Sequence, residues 1–285
     1  MTPRTAPTPY SPCALAISGL DPSGGAGIFA DLRAFHAALA WGCGAVAVVT
    51  VQSTAGLRRA EPLPASEVMA QVREICRYQN VRSIKIGALG SRETVRSIAR
   101  WLREREVSSE VPVVLDPVLV PSRNVGGTQR GRLLAASATG DMRSLAALAT
   151  LVTPNVPEAE TLLDVRIASL DDAAHGALEL VRRGARAALV KGGHLPDHAA
   201  RGSATDVLAI GSRVFRLRAR RIDAEVHGTG CALSSLIAGR LAHAPGPRAP
   251  SDETLLDAVR WAKQKLAKGL SRRIRVGEGL FVLPL

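Results

Sequence analysis

The sequence predicts an α/β fold: a mostly parallel, doubly wound sheet with helices on both faces, arranged as a three-layer α/β/α sandwich. Short apolar runs recur along the 285 residues and alternate with stretches that carry apolar residues at helical spacing. The composition, 46% hydrophobic and 22% charged, supplies enough apolar material for a core. Strands that alternate with helices form βαβ units, and such units build parallel sheets.

Six apolar runs are predicted as strands: Ala14–Ser18, Ala45–Val51, Ser83–Ile86, Val111–Leu115, Ala149–Val152 and Ala187–Val190. Eight segments are predicted as helices: Ile28–Ala40, Ala65–Tyr78, Arg92–Glu106, Arg130–Leu148, Pro157–Leu163, Leu170–Arg183, Thr229–Ala242 and Glu253–Ser271. Two alternating runs around a Gly-Ser pair, within Asp206–Ile222, indicate an antiparallel hairpin. No domain boundary interrupts the pattern, so residues 13–285 are expected to form one domain after a disordered tail of residues 1–12.

Charge and composition argue against several functional classes. The net charge of +12 comes from arginines spread along the chain, and the one dense basic cluster, Lys263–Arg275, is expected to be a solvated helix face rather than a nucleic-acid site. The longest apolar stretches, such as Gly44–Val51, are too short to span a bilayer, and the first residues lack a secretory signal. We therefore expect a cytoplasmic protein with small-molecule partners, no nucleic acid and no membrane.

The cysteines predict neither disulfides nor zinc, because they are scattered and form no CxxC pair: Cys13, Cys43, Cys76 and Cys231. His194 and His198 have the spacing of two ligands on a helix. However, Gly193 and Pro196 argue against a helix there.

Polar or glycine-rich segments follow the predicted strands at their carboxyl ends. These segments begin at Gly19, Gln52, Gly87, Asp116, Thr153 and Lys191. Open α/β sheets bind ligands outside this edge of the sheet. We therefore expect the functional residues to meet there.

Of two common nucleotide-binding patterns, one matches this edge only in part and the other is absent. Gly25–Ala30 fits the G-x-G-x-x-A pattern of dinucleotide-binding folds, but Gln52 stands where that pattern needs an acid for the ribose. A Walker-type phosphate loop is absent, since Lys191 precedes its glycines instead of following them. Neither a nicotinamide enzyme nor a Walker-type NTPase is favoured.

The Gly-Thr-Gly turn at 228–230 favours phosphoryl transfer. Gly228 and Gly230 allow successive backbone N–H groups to point into one space, and the helix that begins there adds its positive end. Lys191, Asp116 and Glu158 lie on neighbouring loops of the same edge. Cations, carboxylates and an anion hole are the groups that phosphoryl transfer requires.

Cys231 follows this turn, in the first turn of the predicted helix. Its position predicts a depressed thiol pKa, because the helix dipole favours the thiolate, and hence a group that takes or orients the proton of a substrate hydroxyl. The alternative from spacing alone is a small apolar residue that packs the start of the helix.

Taken together, seven segments resemble the hydroxymethylpyrimidine/phosphomethylpyrimidine kinases of thiamin biosynthesis, within the ribokinase superfamily. They run in the family's order from about Cys13 to Gly279: ISGLDPSGGAGIFADLRAF, VTVQSTAG, IKIGAL, VVLDPVLV, LVTPNVPEAE, VKGGH and HGTGCALSS. The resemblance implies a ribokinase-like fold, ATP and Mg²⁺ as cofactors, and phosphorylation of 4-amino-5-hydroxymethyl-2-methylpyrimidine and then of its monophosphate. A homodimer is the family habit.

The resemblance also implies roles for the residues at the carboxyl edge. The aminopyrimidine would be held by Gly19, Asp31 and Gln52. The phosphates of ATP would be bound by Asn155, Lys191, Gly228, Thr229 and Gly230. Magnesium would be held by Asp116 and Glu158, and the catalytic residues would be Cys231 and Lys191, with Cys231 in the place of the aspartate base of sugar kinases.

The chain departs from the family pattern at two places near the expected substrate. Ala88 replaces the usual methionine, and Pro121–Asn124 replaces a segment that usually contains a lysine. These departures keep two alternatives open: a pyridoxal or pyridoxine kinase of the same superfamily, and a non-catalytic pyrimidine-binding paralogue.

Overall fold

A computed structural model describes residues 11–104, 110–119, 138–193, 195, 203–222, 225–245 and 249–285. Nine strands form one sheet in the order β3-β2-β1-β4-β5-β6-β7-β8-β9. They are β1 Cys13–Leu20, β2 Trp41–Ser53, β3 Gly56–Pro62, β4 Val81–Ile86, β5 Val113–Leu115, β6 Leu151–Val152, β7 Ala187–Val190, β8 Ser203–Ile210 and β9 Arg213–Arg220. The strands from β2 to β7 in this order are parallel, whereas β3, β8 and β9 pair antiparallel at the two edges.

Eight helices of the described part of the chain cover the sheet. They are α1 Gly27–Ala37, α2 Ala65–Tyr78, α3 Arg92–Glu104, α4 Thr139–Ala146, α5 Val156–Leu163, α6 Leu170–Arg182, α7 Thr229–Leu241 and α8 Asp252–Ser271. None of these helices combines the length and the apolar character needed to cross a bilayer.

Two buried clusters, one on each face of the sheet, show the three layers. Along β1, Leu15 and Ile17 belong to one cluster, which contains the buried faces of α2 to α6. Ala14 and Ala16 belong to the other, which contains buried residues of α1, α7 and α8. This follows from the strand geometry, because successive side chains point to opposite faces. The predicted α/β/α sandwich is confirmed.

The order of strands creates a crevice beside β1. The chain places β2 on one side of β1 and β4 on the other, so the direction of winding reverses between β1 and β4. Ligands of open α/β sheets bind at such a switch point, outside the carboxyl ends of the strands. The loops after β1 and β4 therefore mark the expected site.

The described elements agree closely with the sequence-based predictions. All six predicted strands are present, and the hairpin forms β8 and β9 around Gly211. The fifth strand begins at Val113, two residues later than predicted, because Pro112 has no N–H for the ladder. Of the helix predicted over Arg130–Leu148, residues 130–137 lie outside the described residues, as do residues 1–10 of the predicted tail.

The strand β3 was not predicted. Its sequence, GLRRAEP, has consecutive charged residues and no apolar alternation. It pairs antiparallel with β2 at the edge of the sheet, where charged side chains remain in water. The hydrogen bonds to β2, which are a tertiary interaction, stabilise this strand although its own sequence pattern does not predict it.

Candidate active site

Two glycine-containing turns meet at the crevice, one after β1 and one before α7. Gly228 has a φ of +76°, and a Cβ there would lie 2.0 Å from the Gly25 carbonyl oxygen. A Cβ on Gly25 would lie 2.3 Å from Cδ2 of His227. Only glycine fits at these two positions, because a side chain would collide with backbone at Gly228 and with the His227 ring at Gly25. As a result, the N-termini of α1 and α7 converge on one space.

Lys191 and two carboxylates stand beside the start of α7. The Lys191 Nζ donates to Asp116 Oδ1 at 2.9 Å and lies 3.8 Å from Glu158 Oε2. A Cβ on Gly230 would lie 3.1 Å from the same ammonium. The lysine thus lies next to the backbone N–H groups of the Gly-Thr-Gly turn, and both are suited to an anionic group.

The charges of this cluster are set by burial and by one another. Burial alone would raise the pKa of Asp116, but Lys191 and Lys85 hold it below its usual range. Burial raises the pKa of Glu158 to about 7, against the attraction of Lys191. Asp116 is therefore a carboxylate at neutral pH, whereas Glu158 lies near its titration midpoint.

Glu158 is also part of the cap of α5. The Asn155 side chain accepts a hydrogen bond from the Glu158 N–H at 2.9 Å, and Glu158 Oε2 accepts one from the Asn155 N–H at 2.8 Å. This capping box fixes both side chains at the carboxyl end of β6. Asn155 is thereby held beside Lys191, with which it forms an isolated parallel bridge.

Cys231 lies in the first turn of α7, where it was predicted, but its thiol is not acidic. The Asp116 carboxyl group and the Gly27 backbone N–H lie close enough to its sulfur to influence its pKa. Burial raises the pKa of Cys231 to about 12, with Asp116 and Asp31 adding to the rise and Lys85 opposing it. The predicted depression of this pKa is wrong, because loss of hydration and two nearby carboxylates outweigh the helix dipole.

Asp31 lies beneath the site rather than at its surface. Its carboxylate is fully buried and accepts hydrogen bonds from Lys85 Nζ at 2.9 and 3.0 Å and from Ser235 Oγ at 2.7 Å. Its oxygens are therefore occupied by protein donors. The geometry does not favour the predicted direct contact between Asp31 and the pyrimidine, and Asp31 influences the site through Lys85 and through its charge near Cys231.

Lys85 is the cation that sequence analysis missed. It is completely buried in β4, and a Cβ on Gly87 would lie 2.7 Å from its ammonium. Burial alone would lower the pKa of Lys85, but Asp31, Cys231 and Asp116 raise it above the ordinary value. The sequence did contain a signal for this residue: a lysine within the apolar run Ser83–Ile86 is expected to be buried, and a buried lysine needs a charged or polar partner.

Gln52 and Gly19 occupy the opposite wall of the crevice. The Gln52 amide lies 3.0 Å from Nε2 of His227, and that nitrogen lies 2.8 Å from Asp21 Oδ2. A Cβ on Gly19 would lie 3.7 Å from the Ala88 Cβ, so the position that departs from the family pattern packs beside this glycine. Sequence analysis did not single out Asp21 or His227, although each adjoins a glycine-containing turn.

The structure therefore brings most of the predicted residues to one place. Gathered around the converging helix N-termini are Asp116, Asn155, Glu158, Lys191, Gly228, Thr229, Gly230 and Cys231. Gly19 and Gln52 lie at the adjoining wall, and Asp31 lies below. His194 and the segment Pro121–Asn124 lie outside the described residues.

The fold is that of the ribokinase-like kinases, since solved kinases of this class share it, and the lysine–carboxylate cluster beside the glycine turn before α7 suits such an enzyme. The sequence model of the phosphomethylpyrimidine kinase family matches residues 21–283. The chain belongs to this family and is a phosphotransferase.

Individual relatives support the same family assignment. The hydroxymethylpyrimidine/phosphomethylpyrimidine kinase of Streptomyces coelicolor is 37% identical over 281 residues, which is 97% of this chain and 96% of the relative. The thiamine biosynthesis multifunctional protein ThiED of Corynebacterium glutamicum is 34% identical over 276 residues, 95% of this chain and 34% of that protein.

Solved structures of related kinases have a similar fold. A phosphomethylpyrimidine kinase from Clostridium difficile has a TM-score of 0.72 and 29% identity, covering 90% of this chain and 98% of its own. An ADP complex of Bacillus subtilis pyridoxal kinase has a TM-score of 0.79 and 26% identity, covering 95% and 96%.

Proposed function

We propose that this protein phosphorylates 4-amino-5-hydroxymethyl-2-methylpyrimidine and then its monophosphate, with ATP as the phosphoryl donor, in thiamin biosynthesis. The observation that carries the proposal is the Lys191–Asp116 pair beside the Gly-Thr-Gly turn, in a chain of the phosphomethylpyrimidine kinase family. We further propose that residues 13–285 act as one cytoplasmic kinase domain that forms a homodimer.

The transferred phosphoryl group would lie between Lys191 and the N-terminus of α7. The ammonium and the N–H groups of Thr229 and Gly230 would stabilise the charge on its oxygens, since phosphoryl transfer depends mainly on positioning and electrostatics. Lys191 is only 15% exposed. Water therefore competes weakly for its N–H donors.

Asp116 and Glu158 fit a magnesium ion. Mg²⁺ in kinases is held by one or two carboxylates together with phosphate oxygens and water, and the described residues contain no closed cage of three or more ligands. Each carboxyl group uses one oxygen for a lysine or backbone donor, and neither Oδ2 of Asp116 nor Oε1 of Glu158 takes part in those contacts. When bound with ATP, the ion would supply positive charge to the phosphates.

Cys231 would orient the substrate hydroxyl as a neutral thiol. Its pKa of about 12 leaves almost no thiolate at neutral pH, so the resting thiol is a poor proton acceptor. A loose phosphoryl-transfer transition state needs little deprotonation of the nucleophile in advance. The role proposed for Cys231 is therefore a hydrogen bond that aligns the attacking oxygen with the phosphoryl group.

Gln52 and Gly19 would bind the pyrimidine at the opposite wall. Gln52 supplies an amide to the ring, and the absence of a side chain at Gly19 leaves room for it next to Ala88. Since Ala88 is shorter than the methionine usual in the family, this wall is expected to tolerate a bulkier ring.

Product analysis with three acceptors tests the proposal. Purified protein and Mg-ATP are incubated separately with the hydroxymethylpyrimidine, its monophosphate and pyridoxal, and the products are separated by chromatography. Diphosphate from the monophosphate is the expected result. Monophosphate alone would restrict the function to the first step, preference for pyridoxal would make the protein a pyridoxal kinase, and no product with any acceptor would indicate a binding protein.

A further inference from the structure

A buried histidine connects the loop after β1 to the amide proposed to bind the substrate. His227 is only 6% exposed, and its backbone N–H donates to the Phe281 carbonyl at 2.8 Å. Its Nε2 lies 2.8 Å from Asp21 Oδ2 and 3.0 Å from the terminal amide of Gln52. A single ring nitrogen therefore faces both side chains.

Asp21 is a fixed hydrogen-bond acceptor. Its Oδ1 accepts from the Ser23 N–H at 2.9 Å and the Ser23 hydroxyl at 2.7 Å, and its Oδ2 accepts from the Ala26 N–H at 2.9 Å. Burial alone would raise the pKa of Asp21, but the hydrogen bonds from His227 and Ser23 hold it below its usual value. The carboxylate is therefore ionised at neutral pH and can only accept.

The Asp21 carboxylate determines which atom of Gln52 faces His227. An acceptor-only oxygen at 2.8 Å requires the proton of the imidazole to be on Nε2. The same N–H reaches Gln52, so the amide must present its oxygen. The Gln52 atom that lies 3.0 Å from His227 Nε2 in the structure is the amide nitrogen Nε2. Because amide oxygen and nitrogen atoms are assigned from the hydrogen-bond network, the chemistry of the Asp21–His227 contact exchanges the two, which places Oε1 toward His227 and the NH₂ group on the other side.

We propose that His227, held by Asp21, is a positioning residue that determines specificity by fixing the Gln52 carboxamide with its NH₂ group toward the substrate. The site then selects a ring that presents an unprotonated nitrogen to that donor. This inference rests on the proposed function only in assigning Gln52 to the pyrimidine.

The orientation of the Gln52 amide should change the affinity for the pyrimidine by a measurable amount. An aminopyrimidine has ring nitrogens that accept, and an amide NH₂ group pairs with one of them. If the amide turned over, its oxygen would face the lone pair of that nitrogen, and a buried polar pair would be lost. A site built around a hydrogen bond discriminates strongly when the bond is not made. We expect loss of the His227 N–H to weaken pyrimidine binding about 10- to 100-fold.

A double-mutant cycle tests whether His227 acts through Gln52. His227→Phe, Gln52→Ala and the double variant are compared with wild type by calorimetric titration with the hydroxymethylpyrimidine, and KM, kcat and ADP affinity are measured in parallel. We expect each single variant to raise Kd and KM, with ADP affinity unchanged, and the double variant to bind no more weakly than Gln52→Ala. His227→Gln, which keeps an N–H donor toward Asp21, should recover much of the affinity.

His243 provides the matched control. It is an exposed histidine whose Nε2 bonds to the Ala38 carbonyl at 3.0 Å, at the end of α1 away from the start of α7. His243→Phe should leave pyrimidine affinity unchanged. Additive losses in the cycle, or equal losses of pyrimidine and ADP affinity in His227→Phe, would overturn the inference, because His227 would then act independently or only support the loop.

A second measurement needs no substrate. Nitrogen-15 NMR of the ligand-free protein reports which imidazole nitrogen of His227 carries the proton, with His227→Phe to assign the signal. A proton on Nε2 supports the inference, and an unprotonated Nε2 overturns it. If the wild type phosphorylated no pyrimidine, the proposed function would fail, while the NMR result would still decide how Gln52 is oriented.

Discussion

Two lysine–aspartate pairs lie near the same crevice, and they differ in how far solvent can reach them. Lys85 and Asp31 are 2.9 Å apart, and both side chains are 0% exposed. Lys191 and Asp116 are also 2.9 Å apart, but the lysine side chain is 15% exposed. The contact distance is the same, so the two pairs differ in access: the first pair is closed to solvent, whereas the lysine of the second pair is partly accessible.

The Lys85–Asp31 pair (the closed pair) is connected to α7. The Lys191–Asp116 pair (the open pair) is connected to the loops that follow the strands. Ser235, one helical turn after Cys231, donates to Asp31, so the Lys85 ion pair joins β4, α1 and α7 below the anion hole. Lys191 joins Asp116 to Glu158 across the ends of β5, β6 and β7. We infer that the first pair stabilises the fold and sets the local charge, while the second takes part in phosphoryl transfer.

The largest expected effect is on stability, from breaking the closed pair. Lys85→Met leaves the Asp31 carboxylate buried without its cation, which should reduce the free energy of unfolding by about 3–5 kcal/mol. Urea unfolding followed by circular dichroism measures this. Lys85→Met combined with Asp31→Leu should recover a large part of the loss, because no buried charge remains. A loss no greater than in Arg59→Met, which removes an exposed ion pair with Glu61, would contradict the comparison.

The open pair, Lys191–Asp116, should affect catalysis more than stability. Lys191→Met removes a cation from the proposed phosphoryl site and should lower kcat about 10²- to 10³-fold. It also leaves the Asp116 carboxylate without its nearest cation, so we expect a loss of stability that is smaller than that of Lys85→Met, because Lys191 is partly exposed. Steady-state kinetics and urea unfolding are measured on the same preparation. Lys191→Arg should restore only part of the activity, because an arginine fork does not reproduce the point charge of an ammonium. A stability loss as large as that of Lys85→Met would make the two pairs equivalent.

Cys231 lies near both lysine–aspartate pairs. A variant at this position tests whether its thiol contributes to catalysis. Cys231→Ala removes the proposed hydrogen bond to the substrate hydroxyl and should lower kcat about 10- to 100-fold, while ATP affinity remains unchanged. Cys76→Ala, at an exposed cysteine of α2, is the control and should retain full activity. Wild-type kcat in Cys231→Ala would instead show that the thiol only packs the start of α7.

The smallest effect concerns Glu158 and depends on pH. The pKa of Glu158 is raised from about 4.5 to about 7 by burial, so between these values the folded protein retains a proton that the unfolded chain has released. Its contribution to stability is therefore present below about pH 4.5 and is lost as the pH rises through 7. Glu158→Gln lacks this titration, so its stability relative to wild type should rise as the pH increases from 4.5 to 8.

Urea unfolding at several pH values, in the absence of nucleotide, checks this expectation. The glutamine keeps an oxygen that can accept the hydrogen bond from the Asn155 N–H, so the cap of α5 is preserved in the variant. A stability difference that does not change with pH would mean that Glu158 is ionised throughout and that Lys191 outweighs burial.

The sequence by itself determined the succession of strands and helices and the location of the site at the carboxyl edge. Apolar runs, glycines and strand-ending polar residues are local signals, and βαβ units bring the ends of parallel strands together whatever their side chains. Local patterns alone therefore sufficed to assign Lys191, Asp116, Glu158 and the Gly-Thr-Gly turn to one place.

Only the tertiary structure decided which charged groups pair and which protons they hold. Asp31 and Lys85 are 54 residues apart, and Gln52 and His227 are 175 apart, so no local pattern connects either pair. Burial reversed the expected acidity of Cys231, because hydration lost in a folded interior cannot be read from a helix position. The strand β3 likewise formed only because β2 offered it an edge. Pairing and desolvation depend on contacts between distant segments, and these exist only once the chain has folded.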